Sequence, residues 1–147
     1  DVYKRQGLLS FGNDMTSENS PLECGFEKYC ALSSDIDFIG KAKLKSEKNI
    51  GSKLKLCGIA FGGEAQSACT IPWPIYFNNL KIGEITSGIY NPSLKVNTGI
   101  ALVMTENLDK FSTVKVKALN SKITEGVICS LPFTISKNYE LINQIRY

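Results

Sequence analysis

Beyond Gly51 the sequence is cut into short runs that suit strands, each closed by turn-forming residues, and this limits the fold more than any other feature. Thr113 to Leu119 sets Val114, Val116 and Ala118 on one face and Lys115 and Lys117 on the other. Side chains along a strand point alternately to its two faces, so this run fits a strand with one face buried. Asn120 and Ser121 supply turn chemistry, and Ile123 to Cys129 can return as the partner of a hairpin. A second hairpin is expected over Ile75 to Ile85, where Asn78 and Asn79 tolerate the positive φ of a tight turn. Leu54 to Phe61 and Thr98 to Met104 suit further strands. About six short strands at this spacing favour a small barrel or sandwich over an open sheet.

Upstream the character differs. Residues 11 to 25, FGNDMTSENSPLECG, hold Gly, Asn, Asp, Ser and Pro too densely for a helix or strand and read as an ordered loop. Residues 36 to 50 are expected to be helical, with Ala42 and Leu44 among lysines and Asn49 and Gly51 as stop signals. Lys41, Lys43, Lys45 and Lys48 are the densest cationic run and are expected to form a solvated helix face. Asp1 to Gln6, DVYKRQ, is unrelated in pattern to the rest of the chain and resembles translated adapter sequence, so the native chain is expected to have been cut before Gly7, and the sequence to begin inside a structural unit.

Composition excludes more than it names. The net charge of +3 comes from scattered lysines, with no basic block interleaved with aromatics, so no nucleic-acid partner is expected. No apolar run approaches the ~20 residues that span a bilayer, and no signal-like segment opens the chain; no membrane partner and a cytoplasmic location are expected. Cys24, Cys30, Cys57, Cys69 and Cys129 are odd in number and never form a CxxC pair, and histidine is absent. Metal is therefore not expected, and the thiols read as free, small core residues. Without histidine, triad hydrolases and thiol proteases are poor candidates.

The polar groups best suited to a ligand lie in the loop, where Asn13 and Asp14 can either contact a ligand or hydrogen-bond the loop to itself. Glu23 adds a second carboxylate, useful for acid–base work only if the fold sets the pair close in different environments. Trp73, held between Pro72 and Pro74, is either a fixed stacking surface or a core anchor. Gly83 and Gly88 bracket EITS without a phosphate-cradling pattern and suit a bulge or strand end. Tyr139, in KNYE, either stacks on a flat ligand or seals the barrel.

Four blocks in order, FGNDMTSENSPLECGF, DFIGKAKL, KIGEITSGIYNPSLKVNTGIALV and LPF before KNY, resemble the C-terminal half of the glycine-cleavage T-protein (aminomethyltransferase) family. The resemblance implies a mainly β chain: a small six-stranded barrel-like C-terminal domain, residues 51–147, preceded at 7–50 by the loop-and-helix end of an α+β folate-binding domain. It implies tetrahydrofolate and a small-molecule substrate as partners, together with an N-terminal domain of the same chain that these residues lack. The carboxylates that family members use near folate would fall before Gly7 or within residues 1–6, so no catalytic residue is expected here and the fragment alone is expected to be inactive.

Within the family, GLLSFGNDM followed by NSPLECGFEKY is most similar to the dimethylsulfoniopropionate demethylase branch, which moves a methyl group from a sulfonium onto tetrahydrofolate. The alternatives are the aminomethyltransferase of glycine cleavage and a folate-binding factor without turnover. On the resemblance, Phe11 stands where members often carry tyrosine and is assigned to substrate, while Asn13, Asp14 and Tyr139 are assigned to folate. One departure is plain: the basic residue that aminomethyltransferases place after their PxE motif has no equivalent in ALSSDID.

Overall fold

The computed structural model describes residues 7–106, 108, 113–119, 122–133, 140 and 142–145. Six strands form: β1 (Leu54–Phe61), β2 (Trp73–Phe77), β3 (Leu80–Asn91), β4 (Val96–Met104), β5 (Val114–Val116) and β6 (Thr124–Cys129). They pair in the order β1–β4–β3–β2–β5–β6, every pair antiparallel, and β6 returns to β1 to close a barrel. Closure gives every one of the six strands a hydrogen-bonded neighbour on both sides.

Local chemistry explains the hairpins. Phe77 pairs with Leu80, so Asn78 and Asn79 alone connect β2 to β3, with φ of 48° and 65°. Two successive positive φ values make a turn whose twist matches the flanking strands. In β5, Val114 and Val116 are buried and Lys115 is exposed, and the strand pairs with β6 through Val114 and Gly126. Asn120 and Ser121, expected to turn this hairpin, lie outside the described residues.

The barrel interior is filled by Ile59, Phe61, Ile75, Ile85, Val103 and Val116, among others. A second cluster lies on the opposite face of β1 and β6, where Ala60, Val127 and Cys129 pack against Ile142 and Ile145. Both faces of these strands are therefore covered. This is why CGIAF in β1 runs apolar without alternating. Gly58 permits the close approach, since a Cβ there would stand 2.9 Å from the Phe133 ring.

Trp73 is 3% exposed and meets Phe61 edge-on, with ring centroids 5.9 Å apart. It is a core anchor, not a stacking platform for a ligand. Gly88 lies in the middle of β3, where a Cβ would come within 2.7 Å of the indole, so this glycine makes room for Trp73 and ends no strand. Gly83 does mark a bulge, beside the register shift that falls between Ile75 and Tyr76 on β2.

The helix α1 spans Lys41–Ile50, shorter than the expected 36 to 50 because Gly40, at φ 91°, turns the chain immediately before it. Lys43, Lys45 and Lys48 are exposed as expected, but Lys41 is not. It is 7% exposed, and its Nζ donates to the carbonyls of Ser34 and Ile36, each at 2.6 Å. A buried ammonium must be compensated, and these two carbonyls, which the preceding loop folds back to present, do so.

Candidate functional site

The loop at residues 10–15 closes on itself through short backbone bonds. The Gly12 amide donates to the Met15 carbonyl at 2.7 Å, and the Asp14 amide to the Ser10 carbonyl at 2.9 Å. Gly12 takes φ 84°, which an L side chain would resist. Phe11 is lifted to the tip and is 74% exposed. Asp14 is sealed beneath it at 0% exposure, one carboxylate oxygen accepting the Ser10 amide at 2.9 Å and the other the Thr86 hydroxyl at 2.8 Å. Asn13 is exposed, yet its side-chain nitrogen reaches down to donate to the Thr86 carbonyl at 3.0 Å and the Ser87 hydroxyl at 2.8 Å.

The sequence alternatives for Asn13 and Asp14, a ligand or the loop itself, omit this third partner, the barrel. β3 can supply it because its register against β4 shifts between Ile85 and Ser87: Ile85 pairs with Ala101 and Ser87 with Ile100, leaving Thr86 over. Such a bulge frees one residue from the ladder and re-aims its side chain. Gly99 lets β4 pass close by, since a Cβ there would meet the Ser87 carbonyl at 2.9 Å. Thr86 and Ser87 do not stand out in the sequence as site residues. The one signal they carry is two hydroxyls in succession between Ile85 and Gly88, in the middle of the strand.

Glu23 serves its own turn: its carboxylate accepts the Ser20 amide at 3.2 Å, and its amide returns a bond to the Ser20 hydroxyl. It shares no hydrogen-bond partner with Asp14, so the carboxylate pair considered from sequence is not assembled. Tyr139 lies outside the described residues.

Beside the loop, a cleft of about 750 Å³ opens between residues 7–9, the segment around Cys24 to Tyr29 and the β1–β6 side of the barrel. Lys28 lies over the Tyr29 ring at 4.8 Å from its centroid, and Lys55 adds a second cation to the lining. Cys24, Cys57 and Cys129 also line it. Burial raises all three thiols, Cys129 to about 11, so at neutral pH they are protonated and unsuited to nucleophilic attack. All five cysteines are free. Among the described residues, no three His, Cys, Asp or Glu side chains are placed to hold a metal ion, and no helix is long and apolar enough to cross a membrane.

What the arrangement offers is an exposed aromatic and the side-chain oxygen of an exposed asparagine, tied to a barrel strand by hydrogen bonds and backed by a sealed carboxylate. No acid–base pair or nucleophile stands beside them among the described residues. The site can bind and orient; it does not by itself supply reacting groups.

Residues 55–134, more than half of the chain, match the model of the glycine cleavage T-protein C-terminal barrel domain. The chain is 40% identical over 97 residues to the dimethylsulfoniopropionate demethylase DmdA of Ruegeria pomeroyi, covering 66% of this chain and 26% of that protein. It is 30% identical over 132 residues to an aminomethyltransferase of Listeria monocytogenes, covering 87% of this chain and 35% of that protein. The chain thus spans about a quarter to a third of the length of these relatives. The fold is shared with the glycine cleavage system aminomethyltransferase T of Bartonella henselae, at a TM-score of 0.63 and 19% identity over 97% of this chain and 37% of that one. With the closed six-stranded barrel and a family match that runs through all six strands, the chain belongs to the glycine cleavage T-protein family.

Proposed function

We propose that this chain is the C-terminal part of a tetrahydrofolate-dependent methyltransferase that demethylates dimethylsulfoniopropionate. The observation that carries the reading is the identity of 40% to a dimethylsulfoniopropionate demethylase, against 30% to an aminomethyltransferase. Tetrahydrofolate would supply the nucleophilic nitrogen that takes the methyl group. As the S–CH3 bond breaks, its electron pair would stay on sulfur, leaving a neutral thioether, and the newly methylated nitrogen would release its proton to solvent. Such a transfer depends on orientation of donor and acceptor, and it needs neither an enzyme nucleophile nor a metal.

The residues at the loop suit that task. Phe11 presents an exposed ring, and an aromatic face attracts a sulfonium cation through its quadrupole. Asn13, whose side-chain nitrogen is taken up by Thr86 and Ser87, keeps its side-chain oxygen to accept from the polar edge of a flat folate ring, while Asp14, sealed from solvent, supports the loop from below. Tyr139 belongs to the folate face on the family resemblance alone.

The second reading, aminomethyl transfer in glycine cleavage, is favoured by alignments that cover 87% of the chain. The test is to supply dimethylsulfoniopropionate and tetrahydrofolate to the protein carrying the upstream sequence and to measure methyltetrahydrofolate. We expect methyl transfer there, and none from the 147-residue chain alone. Activity on glycine-cleavage intermediates but not on the sulfonium would overturn the first reading. A folded protein that binds folate and turns over neither donor would favour a binding factor.

A further inference from the structure

We propose that Thr86 and Ser87 of the barrel are positioning residues that lock the Phe11 loop in place, acting on substrate through the loop. The inference rests on the functional reading above for the identity of the substrate, but not for the lock itself. Three observations carry it. First, the β3 bulge exists at Thr86, so the residue that reaches the loop is the one released from the ladder. Second, the link is double and crosses more than seventy positions of sequence: the Thr86 hydroxyl holds Asp14, while the Thr86 carbonyl and Ser87 hydroxyl hold Asn13. Third, Asp14 is the one fully buried residue of the 10–15 loop, and Phe11 at the tip is bare. The ring is therefore held from behind.

The chemistry favours the Thr86–Asp14 bond strongly. The Thr86 hydroxyl has one proton, and it faces both the Asp14 carboxylate at 2.8 Å and the Ile100 carbonyl at 3.4 Å. A charged acceptor at the shorter distance takes it. Removing the hydroxyl leaves a fully buried carboxylate oxygen without its donor, which the loop can relieve only by lifting off β3 to admit water. Lifting displaces Phe11 and Asn13 together. A displaced binding loop weakens capture of substrate more than it slows methyl transfer in the fraction correctly bound.

The experiment compares wild type, Thr86→Val, Thr86→Ser and Ser87→Ala in the protein carrying its upstream sequence, by hydrogen exchange and by steady-state kinetics. In Thr86→Val, exchange over residues 10–15 should rise about tenfold or more while β1 and β4 stay protected, as loss of a buried bond to a charged group predicts. KM for the methyl donor should rise by roughly the same factor, with kcat within about threefold. Thr86→Ser, which keeps the hydroxyl, should restore both. Ser87→Ala, which unpairs no buried charge, should loosen the loop to a smaller degree, and it decides the matter if Thr86→Val unfolds the barrel. Unchanged exchange in Thr86→Val and Ser87→Ala would overturn the lock. A loosened loop with unchanged KM would overturn its role in positioning. Exchange needs no substrate, so a wild-type protein inactive on dimethylsulfoniopropionate would sink the functional reading while the lock is still judged.

Discussion

Cys129 shows how burial sets the chemistry of a single side chain. Its thiol is raised from the ordinary 9.0 to about 11, chiefly by burial, with a backbone bond from Ala60 opposing and Cys57 adding to the rise. The linked stability effect has a definite sign. Above about pH 9 the unfolded thiol ionises while the folded one stays protonated, so ionisation pulls toward the unfolded chain. The contribution is intact below pH 9.0 and is lost progressively as pH climbs toward 11. Denaturant midpoints measured from pH 8 to 11 should fall, and Cys129→Ala should show a shallower fall over the same range. An identical slope in the variant would contradict the assignment. Asp14 makes the complementary point: a carboxylate kept fully buried by an amide and a hydroxyl serves architecture before it serves ligand.

Among the elements, the β2–β3 hairpin is the most local in origin. Its two-residue turn places Asn78 and Asn79 in left-handed conformations, which asparagine tolerates and glycine adopts without strain. Asn79→Gly should therefore stabilise the protein by up to about 1 kcal/mol, the left-handed penalty outweighing the added freedom of the unfolded chain. Urea denaturation checks it, and a clear destabilisation would mean that Asn79 makes contacts beyond its backbone. The helix α1 teaches the opposite lesson. Its lysines look interchangeable in sequence, yet Lys41 alone is folded under the 34–38 loop and holds two carbonyls.

At the scale of the whole molecule, the barrel and the upstream segment differ in how they are held. Between residues 7 and 50 the only buried hydrophobic side chains are Cys24 and Leu32, whereas Leu8, Phe11, Tyr29, Ile36, Ile39 and Ile50 are exposed. The barrel has two apolar clusters and a closed hydrogen-bond ladder. Hydrogen exchange in the 147-residue chain should then show the strands protected near the global limit and residues 7–50 opening at much lower free energy. Equal protection across both parts would count against a division at Gly51.

Sequence by itself determined the strands and their hairpins, because alternation in Thr113 to Leu119 and the Asn78–Asn79 pair are consequences of neighbouring residues alone. It also carried the family, through four blocks in a fixed order. Tertiary structure decided what depends on residues far apart in the chain: closure of β6 onto β1, the second face of β1 under Ile142 and Ile145, and the burial of Lys41. The site belongs to that second group. Asn13 and Asp14 were legible as polar loop residues, but their partners sit seventy-two or more positions away on a bulge that no local pattern announces. A bulge is a register error between two strands, so it exists only once both strands are paired, and with it Thr86 acquires its purpose.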